Sequence, residues 1–149
     1  GNLGDAAGAL AFLQGQWKPE PDAAEYLLDR FNRPRARISL GRDLLGRATA
    51  AIDISDGLLA DAGHIAAASG AKIVIEPDLV PRSAALSSHE SPAQVIRWAL
   101  AGGDDYELCF CLPAGERPPA DCTLIGRVVP GEGVDSGLEV DIPGGYQHF

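Results

Sequence analysis

Between residues 49 and 70 the hydrophobic period changes once, and that change constrains the fold more than any other feature of the chain. Ala50, Ile52 and Ile54 alternate with Ala51 and Asp53, the two-residue period of a strand. Leu58, Ala62, Ile65 and Ala66 then recur at helical spacing, and Gly70 stands where a left-handed residue closes a helix. Ser55-Asp56-Gly57 lies between the two, so the backbone must turn from strand to helix through an acidic corner.

The flanking elements follow from the same signals. Residues 4–14 predict a first helix with Asp5 near its start and Gly15 at its end. Asp22-Ala23-Ala24-Glu25 is spaced like a capping box behind Pro21, and predicts a second helix that stops before Pro34. Residues 38–47 predict a short third helix. Residues 71–76 read as a strand that ends in a Pro77-Asp78 loop, and Ser91-Pro92 as the N-cap and first turn of a helix stopped by Gly102. Tyr106, Leu108, Phe110 and Leu112 are expected on one face of the next strand, and residues 123–129 and 138–142 as two more. The order predicts an α+β domain with helices packed on a mixed β-sheet, and not a doubly wound dinucleotide fold.

Charge and composition narrow the function. At 149 residues and 46% hydrophobic content, the chain has enough apolar matter for one real core. A formal charge of -9 argues against an electrostatic grip on nucleic acid or an anionic membrane. No apolar run approaches the roughly 18 residues of a membrane helix, and no basic-then-apolar leader is present, so a cytoplasmic location is expected. Cys109, Cys111 and Cys122 lack metal-site spacing and read as buried, reduced thiols. The chain has no Met and opens on Gly1-Asn2-Leu3-Gly4, as expected of a piece of a longer protein.

The acidic corner carries the chemistry. Asp53 and Ser55 would point to one side of an extended strand, with Asp56 at the turn. Magnesium is usually held by one or two carboxylates together with substrate phosphates, which suits Asp53 and Asp56. Ser55 and free N–H groups at the helix start could bind a phosphate oxygen. The same spacing also suits a plain helix start, in which Ser55 or Asp56 caps the helix and Asp53 is solvated. Gly102-Gly103-Asp104-Asp105-Tyr106-Glu107-Leu108 repeats the theme, although turn residues followed by a strand with Glu107 on its solvent side would look alike. Half of the 12 basic residues, Arg30, Arg33, Arg35, Arg37, Arg42 and Arg47, crowd one segment, where a solvated helix face or a phosphate contact would fit. His64 reads as a packing or hydrogen-bonding residue, and His89 as a loop residue without a signal. No Walker-type G-x-x-x-x-G-K-S/T loop is present in this chain.

Ile52-Asp53-Ile54-Ser55-Asp56-Gly57-Leu58 and Gly102-Gly103-Asp104-Asp105-Tyr106-Glu107-Leu108, in this order, closely resemble the signature segments of the bacterial thiamine-monophosphate kinase family. Gly4-Asp5-Ala6-Ala7 and Gly144-Gly145-Tyr146-Gln147-His148-Phe149 look like that family too, so the resemblance spans essentially the whole chain. It implies transfer of the γ-phosphate of ATP to thiamine monophosphate with magnesium, giving thiamine diphosphate. It also implies the two-domain architecture shared with aminoimidazole ribonucleotide synthetase and selenophosphate synthetase. This chain looks like the carboxyl-terminal domain, with the amino-terminal ATP-binding domain absent and a homodimer as a further partner arrangement.

Position by position, the resemblance implies Asp53 and Asp56 as magnesium ligands and Ser55 as an ATP contact. It implies Asp104 and Tyr146 as substrate contacts, with Asp104 standing where the family usually has Glu. The expectation is in-line transfer without a phospho-enzyme, and an isolated chain that folds but does not turn over. The competing readings are another synthetase of the same superfamily, or a non-catalytic ligand-binding or dimerisation module.

Overall fold

The computed structural model describes residues 1–138. Helices α1 (Asp5–Leu13), α2 (Pro21–Asn32) and α3 (Ile38–Asp43) precede strand β1 (Ala50–Asp53). Helix α4 (Leu58–Ser69), strand β2 (Lys72–Ile75) and helices α5 (Ala84–Ser87) and α6 (Pro92–Ala101) follow. Strands β3 (Leu108–Cys111), β4 (Gly126–Val129) and β5 (Gly133–Asp135) complete the described elements. The fold class is α+β as expected, but the strands form two small sheets instead of one. β1 pairs antiparallel with β3, while β2 lies between antiparallel β4 and parallel β5. Among the described residues no helix is long and apolar enough to cross a membrane.

Helix α4 sits at the centre because its apolar stripe is continuous. Leu58, Ala62, Ile65 and Ala66 are buried against Ile54, Ile73, Ile75 and Leu100, and Gly70 closes the helix at φ 57°. A second cluster, Ala9, Leu27, Leu86 and Val95, joins α1, α2, α5 and α6. Ser91 caps α6 by accepting the Gln94 N–H, as its position before Pro92 predicts.

Several expectations change. The Asp22 capping box does not form: Pro21, whose fixed φ suits a first helical position, starts α2 two residues earlier, with Glu20 as N-cap. α3 ends at Asp43, short of residue 47. The segment around Leu86 is a short helix capped by Ser83 where a loop is expected. Tyr106 is not part of β3, because its φ of 52° breaks the strand before it starts. Cys109 and Cys111 pack on the core, and Cys109 also lines a small cavity together with Leu108, Phe110, Leu40 and Ile125. The three thiols are free and half-buried, and burial pushes that of Cys109 up to about 11. β4 is shorter than expected, and β5 carried too little alternation to be anticipated. The strand expected at 138–142 lies outside the described residues, apart from its first.

Candidate active site

The corner between β1 and α4 is built by one buried acid. The Asp61 carboxylate, 2% exposed, accepts the backbone N–H groups of Ser55, Asp56 and Gly57 through Oδ2, at 3.0, 3.0 and 3.1 Å. Burial pushes the Asp61 carboxyl up, and the three donors offset part of that shift. Neither Ser55 nor Asp56 caps the helix; Gly57 is the N-cap at φ 112°, and a side chain there would come within 2.9 Å of the Ala101 carbonyl. The N–H groups of residues 55–57, just before the helix, are therefore spent on Asp61. Asp61 itself left a signal: three residues after Leu58 and four before Ile65, it lies on the apolar face, where a carboxylate must have a partner.

The second acidic segment is laced to the first through the backbone. Asp104 N–H donates to the Ser55 carbonyl at 2.9 Å, Tyr106 N–H to Ile54 at 2.8 Å, and Ile54 N–H to Glu107 at 2.8 Å. This continues the β1–β3 register, Asp53 opposite Leu108, into an irregular bridge. Gly103 allows it, since a Cβ there would overlap the Ser55 carbonyl oxygen.

Within the bridge the side chains alternate. Asp104 and Tyr106 are exposed, both with left-handed backbone, while Asp105 and Glu107 are 3% and 4% exposed. The Tyr106 hydroxyl donates to Asp104 Oδ1 at 3.2 Å. The charge of Asp104 and the hydrogen bond to it, then burial, and last the charges of Asp53 and Asp56 push that hydroxyl's pKa up. Among the described residues none of these three carboxylates has a salt-bridge partner.

Asp53 is exposed and Asp56 half-buried; Ser55 is half-buried beyond the end of β1, so strand alternation no longer pairs it with Asp53. Ligand atoms of Asp56, Asp61 and the exposed His64 lie within 4.8 Å of one another. Hard carboxylate oxygens without a protein cation beside them suit magnesium, so Asp53 and Asp56 fit such an ion by donor type, although among the described residues neither Asp53 nor Asp104 joins that close group. Tyr146 lies outside the described residues.

Glu107 and part of the arginine segment depart from the expected solvated positions. Glu107 is buried, and Arg37 grips it with two hydrogen bonds while Arg30 adds a third at 3.0 Å. Burial raises the Glu107 carboxyl, but the Arg37 hydrogen bonds, the Gly1 amino group and the Arg37 and Arg30 charges outweigh it, and the net shift is downward. Asp105 accepts the Gly4 N–H at 2.6 Å and caps α1 from across the molecule. Arg33, paired with Asp29 on the surface of α2, keeps the solvated role.

No protein-family model matches the chain. Among curated proteins it is 45% identical over 125 residues to the thiamine-monophosphate kinase of Salmonella typhimurium, covering 83% of this chain and 38% of that protein. It is 42% identical to that of Aquifex aeolicus, across the whole chain and 50% of the relative. The crystal structure of thiamine-monophosphate kinase from Stenotrophomonas maltophilia superposes with a TM-score of 0.86 at 41% identity, over 94% of this chain and 49% of that one. AaThiL complexed with AMPPCP and TMP superposes at 0.84 with 39% identity, over the whole chain and 49% of that one. The chain thus spans half or less of the length of these relatives.

Proposed function

Because the chain is homologous to thiamine-monophosphate kinases over half or less of their length, we propose that its full-length protein transfers the γ-phosphate of ATP to thiamine monophosphate. The observation that carries this reading is the backbone bridge between Ser55 and Asp104, which lays the segment of Asp53 and Asp56 beside that of Asp104 and Tyr106. The AaThiL complex, with AMPPCP and TMP bound together, supports the same pair of substrates.

In this reading the chain is the carboxyl-terminal domain of a two-domain, cytoplasmic enzyme, and the absent amino-terminal domain contributes the rest of the nucleotide pocket. Asp53 and Asp56 would hold magnesium, which when bound neutralises charge on the phosphate oxygens. The Ser55 hydroxyl would contact ATP. Asp104 and Tyr146 would orient thiamine monophosphate, Asp104 with one methylene less than the Glu usual in the family. Phosphoryl transfer asks a protein mainly for alignment and charge neutralisation, so no side chain acts as a nucleophile and the transfer is in line. The isolated chain is inactive because one wall of the site is missing.

The test is turnover of the full-length protein with ATP and thiamine monophosphate. Asp53→Asn and Asp56→Asn should each lower kcat/KM by at least about 100-fold without loss of folded protein, because both side chains reach solvent. Unchanged turnover would instead indicate a non-catalytic module, and labelled phosphate retained on denatured protein would contradict direct transfer.

A further inference from the structure

The outward side chains of residues 104–107 stand on an unfavourable backbone. Asp104 and Tyr106 have φ of 64° and 52°, a region that residues with a Cβ seldom occupy and a bulky aromatic least of all. Such a conformation persists only where its surroundings over-determine it. The anchors here are the two inward acids. Asp105 is tied to Gly4 N–H, and Glu107 is gripped by the Arg37 fork and by Arg30, whose Nη2 also lies 3.5 Å from the Asp105 carbonyl. Arg30 belongs to α2 and Arg37 caps α3, so the arginine-rich stretch reaches the acidic site from behind.

We propose that Arg30 and Arg37 are positioning residues: acting through Glu107, they hold the left-handed turn at 104–106 so that Asp104 and Tyr106 face Asp53 and Asp56. Neither arginine touches the outward carboxylates in this arrangement. A bidentate guanidinium on a buried carboxylate fixes direction as well as distance, which a single lysine contact does not. If Glu107 were free to rotate, the ring of Tyr106 would have no reason to stay on the strained side, and Asp104 would move with it.

The kinetic consequence rests on the phosphotransfer reading, but the structural consequence does not, and the experiment separates them. In the full-length protein, Arg37→Gln should speed hydrogen exchange of the Asp104 and Tyr106 amides by about tenfold or more and leave the amides of α6 unchanged. The same variant should raise KM for thiamine monophosphate about tenfold with KM for ATP nearly constant. That increase should vanish when Asp104→Ala is already present, since the turn then has nothing to present. Arg37→Lys, which keeps the charge and gives up the fork, should lie between the parent and Arg37→Gln, and replaces it if Arg37→Gln does not fold. Unaltered exchange at residues 104 and 106, or an Arg37 effect of full size in the Asp104→Ala background, overturns the proposal. A parent protein with no activity on thiamine monophosphate overturns the functional reading instead, and leaves the exchange measurement to decide the role of the arginines.

Discussion

The backbone N–H of Asp104 donates to the carbonyl of Ser55 at 2.9 Å, and this one bond joins two acidic turns 49 positions apart in the chain. Everything at the candidate site depends on how closely these two strands of backbone approach. Three positions along the approach give measurable consequences.

Gly103→Ala should destabilise the fold by about 1–3 kcal/mol, because its Cβ would push on the Ser55 carbonyl oxygen, a backbone atom that cannot rotate away. Activity should fall with it, since the displaced group is the corner that carries Asp56. Gly63→Ala is the internal contrast. It lies inside α4 with its Cβ no closer than 4.0 Å to Val134, so gaining a helix-favouring residue should stabilise by about 0.5–1 kcal/mol. Urea midpoints of the two variants should move in opposite directions; movement in the same direction would contradict this account.

Asp61→Ala should cost about 3 kcal/mol, because three N–H groups at the corner lose their common acceptor. Asp61→Asn keeps one acceptor oxygen in reach and should cost about 1 kcal/mol. Thermal unfolding ranks the pair, and equal losses would mean that the carboxylate charge, not its geometry, holds the turn.

The pH dependence of stability should carry the signature of Asp105. Burial pushes its carboxyl from an ordinary 3.8 to about 7, against the opposing Gly4 and Ala6 N–H donors. A carboxyl raised in the folded state stabilises fully below the unfolded value, and that contribution is lost as pH rises through the folded value. Between about pH 4 and 7 the parent should therefore lose up to about 4 kcal/mol relative to Asp105→Asn, in which this proton is absent. Denaturant unfolding of both at several pH values measures the difference; parallel profiles would refute it.

The local architecture was legible because its causes are local. The change from strand to helical period across Ser55-Asp56-Gly57, the left-handed stop at Gly70 and the Ser91 cap before Pro92 each depend on residues within a turn or two, and each is present. Where a local rule failed, a stronger one stood beside it: Pro21 displaced the Asp22 cap, and the positive φ of Tyr106 ended the alternation before β3.

What tertiary structure alone decided is where charge goes. Glu107 occupies a position that strand alternation leaves to solvent, yet it is buried because Arg37 and Arg30 meet it from 70 and 77 residues away. Asp105 accepts the N–H of Gly4, the N-cap residue of α1, from 101 residues away, and His89 sits edge-on between Trp17 and Trp98 at 5.0 and 4.9 Å. The sequence by itself determined most of the helices, the strand-to-helix change and the acidic corner at it. A periodic pattern reports how apolar a face is, but burying a carboxylate depends on a partner supplied by another element, and only the folded chain brings that partner into reach.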